Sequence, residues 1–296
     1  SRVSLYSNRP KSRTSLGDRD VLKIIRRLAR NPLYVISLLL LSIVLLITLF
    51  PGLFAPYNPY KMDVEAFMSA PSWKHFFGGD QFGRDVFSRA MFGLQKSMII
   101  ASSAIAISAL IGTMLGLISG FLSGVTDLVM MRIMDSFFAF PSLILALFII
   151  ALFGSNMINL IFAIGLVYVP IFARTVRGAA LSLRESLYVK ASKALGKKSL
   201  SIMLTDILPN ISSVLIVTFT TNMSTALLTE ASLGFLGLGV PPPEPTLGGM
   251  VGQGTAFLLS APWVVLFPGL VIALIVLSLN ILGDGLRDIL DPRINR

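Results

Sequence analysis

Along the chain, long uncharged apolar runs alternate with short polar or Gly/Pro-rich stretches. The first run, Leu33 to Phe50, has 18 residues without a charge and stops at Pro51-Gly52. At 1.5 Å per residue it reaches roughly 27 Å, the thickness of bilayer hydrocarbon. Five more runs follow, so the pattern predicts an all-α membrane protein with six transmembrane helices, at 33–52, 97–122, 136–153, 157–173, 211–229 and 263–282. Pro141 predicts a kink in the third, and Pro170 lies near the end of the fourth. In the second, Gly112, Gly116, Gly120 and Gly124 recur every four residues, and Ser108 and Ala104 continue that face upstream. Small residues at this spacing predict a seam where another helix backbone comes close. The fifth is rich in hydroxyls and amides, among them Thr221, Asn222 and Thr225, which suits a face turned to other helices or to a wet pathway.

The connections differ in character. Residues 1–32 form a basic tail with an amphipathic helix over 18–31, suited to a headgroup surface or to a basic flank orienting the next helix. Residues 53–96 carry Pro56, Pro59 and Pro71 with Tyr57, Tyr60 and Trp73, aromatics of the interfacial type. A short polar turn is expected at 124–135. Residues 230–262 are rich in Gly and Pro yet nearly uncharged; irregular apolar backbone must be covered by protein or line a cavity. Glu230, at the head of that loop, reads as a hydrogen-bonded structural carboxylate or as a solute contact.

One connection stands apart. Residues 174–210 are basic and cannot sit in a membrane. Leu187, Ala191, Ala194 and Leu195 recur at helical spacing, and Gly196 suits a left-handed helix end. Lys197 and Lys198 follow; Ser199 suits the cap of a second helix, with Leu200, Met203, Leu204, Ile207 and Leu208 on one stripe and Pro209 closing it. Two short amphipathic helices around a glycine elbow suit either a hairpin on lipid or its own bundle, or a docking surface for another protein.

Composition narrows the class. Of 296 residues 54% are hydrophobic and 14% charged, and mean hydropathy is +0.79, outside the range of soluble domains. There is no Cys, and His75 is the single His, so thiolate and two-His metal sites have no ligands; His75 itself reads as an interfacial residue. Net charge is +10. With the N-terminus inside, segments 1–32, 123–135, 174–210 and 283–296 hold 20 of the 25 Lys and Arg, an asymmetry that expects both termini and the 174–210 loop in the cytosol and argues against nucleic acid. The first 30 residues are polar and basic, unlike a secretory leader. A-L-G-K-K-S at 194–199 falls short of a phosphate-binding loop, with Lys198 at the hydroxyl position. No catalytic triad, cofactor site or metal site is expected. The six runs hold no Asp, Glu, Lys or Arg, which disfavours a stand-alone secondary transporter; a membrane scaffold is the third class weighed.

These residues carry a resemblance. V-K-A-S-K-A-L-G at 189–196, followed by I-L-P-N at 207–210, resembles the cytoplasmic loop of ABC importer permeases. G-D-Q-F-G-R-D-V-F-S-R at 79–89, L-G-F-L-G-L-G at 233–239, and P-W-V-V-L-F-P-G at 262–269 through N-I-L-G-D-G-L-R-D-I-L-D-P-R at 280–293 resemble the C-type permease of the dipeptide, oligopeptide and nickel importers. Lys190 departs from the family's usual Glu, Ser192 from an Ala, and Leu247 from a Trp. The resemblance implies a type I ABC importer permease fold in the bacterial inner membrane. It implies four kinds of neighbour: a homologous second permease, two cytosolic ATP-binding subunits, an extracytoplasmic binding protein and lipid. It implies ATPase coupling through Tyr188, Val189, Lys190, Ala191, Ser192, Leu195, Gly196, Lys197, Lys198, Leu208 and Pro209. The pathway and its outer gate then fall to Thr221, Asn222, Thr225, Glu230, Phe235 and Leu236, for a peptide, a nickel chelate, glutathione or another small solute.

Overall fold

The computed structural model describes residues 32–290, with the side chain of Leu290 excepted. The amphipathic helix expected at 18–31 and the tail beyond 290 lie outside them. The described residues are helical throughout their ordered elements: α1 Pro32–Leu49, α2 Pro51–Phe54, α3 Val86–Leu122, α4 Gly124–Phe138, α5 Ser142–Phe153, α6 Met157–Arg184, α7 Leu187–Ala194, α8 Ser199–Ile202, α9 Ser212–Phe235, α10 Leu247–Gly254 and α11 Trp263–Leu290. Among the described residues, five helices or helical runs are long and apolar enough to cross a membrane, or six with α4 and α5 taken as one bent span.

Polar residues start and stop the helices. Asp85 caps α3 by accepting from the Ser88 N–H (2.7 Å), and Asn156 caps α6 from Asn159 N–H (2.9 Å). These caps satisfy donors that a helix start leaves unpaired. Because Asp85 sets the start, α3 begins at Val86, eleven residues before the expected boundary at 97.

α3 and α6 form the centre of the bundle. A Cβ on Gly112 would sit 2.5 Å from Phe172 Cβ, one on Gly116 2.5 Å from Ala173 O, and one on Gly120 2.8 Å from Arg177 O. Ser108 continues the contact, its hydroxyl 2.6 Å from Gly165 O. Gly124 does not belong to this seam: it begins α4 at φ +67, with nothing within 4 Å of its Cβ position.

Two expectations need correction here. Residues 124–135 are not a turn but most of α4, and the kink expected at Pro141 is a sharp corner, with 136–138 at the start of the third run closing α4. Pro141 disfavours helical backbone at Phe140, and α4 and α5 meet at 88°. Asp127 in the first turn of α4 takes two bonds from the Arg177 guanidinium, which ties α4 to α6. The fourth run also outlasts its predicted end at 173, continuing to Arg184.

The bundle has two ends. At the end carrying α7 and α8, Leu117, Phe121, Val176, Ala180, Val189, Ile202, Ile207 and Ile211 form a core of their own. At the far end, residues 56–85 fold into a compact knot over the start of α3. Asp80 accepts from Arg84 Nε (2.7 Å), Arg89 Nη1 donates to Pro59 O (3.0 Å), and a Cβ on Gly79 would lie 1.6 Å from Ala66 O. His75 is buried in this knot, its Nδ1 2.9 Å from Asp85 Oδ1.

Candidate functional site: the glycine elbow and the open face of α9

The elbow is built from backbone outward. α7 ends at Ala194, and Gly196 takes φ +76. The Lys197 N–H then reaches back to Ser192 O (3.1 Å) and the Gly196 N–H to Lys193 O (3.0 Å), the paired bonds of a Schellman helix end. Nothing lies within 4 Å of a Gly196 Cβ, so conformation alone selects glycine there. Lys197 Nζ donates to Thr205 Oγ1 (2.6 Å) and Asp206 Oδ1 (2.7 Å), bracing the turn against the next helix.

Val189 is fully buried and anchors α7 on the core shared with α3 and α6. Lys193 Nζ sits 4.4 Å over the Phe121 ring. The expected apolar stripe, however, faces away. Leu187 is 86% exposed and Leu195 87%, and Ala191 and Ala194 are exposed beside them. Tyr188, Lys190 and Lys198 are exposed too, while Ser192 and Lys197 are half-buried. Lys190 pairs with Glu185 at 3.0 Å and holds that carboxyl below the usual carboxylate range.

The second predicted helix differs from its expectation. Ser199 is the first helical residue and Lys198 occupies the cap position, with no side-chain capping bond. The buried face is Ile202, Met203, Ile207 and Ile211, whereas Leu200 and Leu204 are exposed. Pro209 does not close the pattern. The backbone widens to a π turn at Met203–Ile207, tightens to a 3-10 turn at Leu208–Ile211, and runs on into α9. Proline lacks the N–H that a regular helix needs, and the shifted register absorbs that loss. Leu208 is half-buried and Pro209 exposed on this bend.

α9 divides the remaining candidates. Asn222 and Thr225 line a cleft of about 330 Å³ with Phe137, Tyr168 and Pro170. One turn further along, Leu228, Ser232, Phe235 and Leu236 line another of about 460 Å³. Residues 222, 225, 228, 232 and 235 recur at three and four, so a single face of α9 lies open along its length. Most of its hydroxyls bond back to carbonyls one turn earlier, as Thr225 does to Asn222 O (2.9 Å) and Thr229 to Thr225 O (2.9 Å). This makes a polar sequence tolerable at membrane depth. Thr221 is elsewhere, facing Gly283 of α11. Glu230 is not on the open face either: it is fully buried, both carboxylate oxygens lack a hydrogen bond, and the Ser97 hydroxyl is the polar group facing it.

The reading of 230–262 as irregular missed α10. Gly248 and Gly252 press this helix onto α9: their Cβ positions lie 2.2 Å from Ala231 O and 2.6 Å from Phe235 O. The four-residue glycine spacing seen in α3 was the available signal. Phe235 and Leu236 also border a cleft of about 380 Å³ with Pro241, Pro242, Gly252 and Gln253.

Comparison with known proteins follows the same lines. Residues 112–296 match the family described as binding-protein-dependent transport system inner membrane component. The chain belongs to that family. Residues 22–71 match the N-terminal transmembrane domain of oligopeptide transport permease C. Over 90% of this chain and 88% of the relative, it is 41% identical to a dipeptide transport system permease protein of Alkalihalophilus pseudofirmus. It is 40% identical to a glutathione transport system permease protein of Escherichia coli, over 91% of this chain and 89% of the relative. With a putative peptide transport system permease of Brucella abortus the figures are 38%, 96% and 95%. This permease is therefore a multi-pass membrane component of a multi-subunit transport system.

Proposed function

We propose that this permease forms half of the pathway by which an ABC importer takes up peptides delivered by an extracytoplasmic binding protein. A homologous second permease supplies the other half and faces the open side of α9. ATP hydrolysis resides in two cytosolic subunits, one of which grips the elbow, and both termini are cytosolic. The observation that carries this reading is the elbow. Its inward residues Val189, Ile202 and Ile207 bind it to α3 and α6, while Leu187 and Leu195 are left bare among lysines. A short helix rigid on one side and apolar on the other suits insertion into a groove of a partner. Lys190, Lys193 and Lys198 around it call for an acidic rim on that groove.

The open face of α9 supports the pathway assignment. Asn222, Thr225 and Ser232 offer neutral polar groups and Leu228 and Phe235 apolar ones, so solute charge meets no fixed counter-charge on this wall. Such a wall suits peptides of varied side chain. Glutathione is the second reading, favoured by the named relative of nearly equal identity. Reconstitution with the partner subunits tests both: ATP-dependent accumulation of labelled dipeptide, outcompeted by dipeptide and not by glutathione, is expected. Uptake by this chain alone without ATP removes the importer reading.

A further inference from the structure

The far-end knot has a side that packs on nothing. A strap at residues 73–77 is tied on one side to the segment that follows α2 and on the other to α11, and α1 and α11 pack together. Tyr57, three residues past α2, donates from its hydroxyl to Lys74 O (2.9 Å). On the other side the Phe77 ring stacks on Phe267 of α11 with centroids 4.1 Å apart, and Trp263 Nε1 donates to Gly79 O (3.1 Å). Between these ties Trp73 is 94% exposed and Phe76 is exposed too, and Leu53 and Phe54 of α2, ahead of Tyr57 in the chain, are likewise exposed.

The position of this patch identifies its occupant. One face of α1 packs on the bundle through Leu41, Val44 and Ile47, while Ile36, Leu39, Ile43 and Leu46 leave an apolar face exposed along its length, as a lipid-facing span must. α1 is 18 residues long, which reaches roughly the full hydrocarbon thickness, so α2 and Tyr57 stand at the level where hydrocarbon gives way to headgroups. The hydrogen bond to Lys74 holds Trp73 at that same level. Lys74 is paired with Glu65 (2.9 Å), so the strap brings no free charge to the surface.

We propose that Trp73, Phe76, Leu53 and Phe54 form an aromatic foot that enters the headgroup–acyl boundary of the bilayer. Tryptophan favours this depth because its ring is apolar and its N–H is not. The foot fixes the knot over α3 to the membrane surface, so that the α1–α11 flank is held while other elements move. Its hold is apolar and does not require anionic lipid.

The chain has two tryptophans, which makes the test direct. Full-length Trp263→Phe, reconstituted in nanodiscs of pure phosphatidylcholine, reports Trp73 alone. Replacing the lipid with phosphatidylcholine brominated at mid-depth of the upper acyl chain is expected to lower emission at least about two-fold, with weak quenching by aqueous iodide. Emission indifferent to bromine and open to iodide overturns the foot. Shielding from iodide without a bromine response gives the patch to a protein partner and overturns it equally. If Trp263→Phe does not assemble, the difference between wild type and Trp73→Phe in the same two lipids reads the same quantity.

Discussion

Gly196 is the residue on which the elbow turns. A side chain there meets open space but must adopt φ +76, which costs about 1 kcal/mol. Gly196→Ala is expected to insert and assemble normally yet lower uptake relative to ATP hydrolysis, with Gly196→Asn milder because Asn tolerates the left-handed region. Coupling ratios in proteoliposomes measure this, and unchanged ratios in both variants would remove the role. Glu244 gives a pH prediction. The Lys96 ammonium at 2.9 Å holds its carboxyl below the usual range. The sign for such a group is fixed: its stabilisation is present above the ordinary carboxylate pKa and is lost as pH falls through the depressed value. For a part-exposed pair it amounts to under about 1 kcal/mol. Melting temperature on acidification is expected to fall slightly more steeply in wild type than in Glu244→Gln; parallel curves would show that the pair carries nothing.

At the scale of the element, glycine seams separate two kinds of position. Gly116→Leu drives a side chain into Ala173 O, and Gly248→Ala puts a Cβ 2.2 Å from Ala231 O. Both are expected to lower complex yield on native gels. Gly178→Ala, with nothing within 4 Å, is expected to stabilise α6 by about 0.5–1 kcal/mol. Equal yields from all three would separate the seams from assembly. The α3 seam was legible because small residues at a strict period have few other uses in a long apolar run. Its last member was not: Gly124 keeps the period but follows Ser123, where φ of 54 ends α3. The sharpness of the α4–α5 corner and the run of α8 into α9 were not legible for one reason. Proline marks an irregularity without saying whether the chain breaks, as at Pro141, or shifts register and continues, as at Pro209. The burial of Val189 beside the exposure of Leu187 and Leu195 could not be read from periodicity. It depends on Phe121 and Val176, which approach α7 only in the fold.

For the whole molecule, sidedness and partnership can be read with introduced cysteines, because the sequence has none of its own. A single cysteine at Leu195 is expected to react with a membrane-impermeant maleimide only from the cytosolic side, and less once the ATPases are bound. Labelling of intact cells from outside would invert the topology. Leu187→Asp with Leu195→Asp is expected to abolish co-purification of ATPase while leaving the permease pair intact, since both side chains are exposed and contribute nothing to the core. Retained ATPase would move the docking surface elsewhere.

From Ser199 to Phe235 the helical path is unbroken over 37 residues, bent turns included. At 1.5 Å per residue that is about 55 Å, so each degree of tilt pivoting near the elbow sweeps the opposite tip through about 1 Å. On the pathway proposed above, a rotation of about five degrees would therefore shift the far tip by about 5 Å, the spacing one extended peptide backbone occupies.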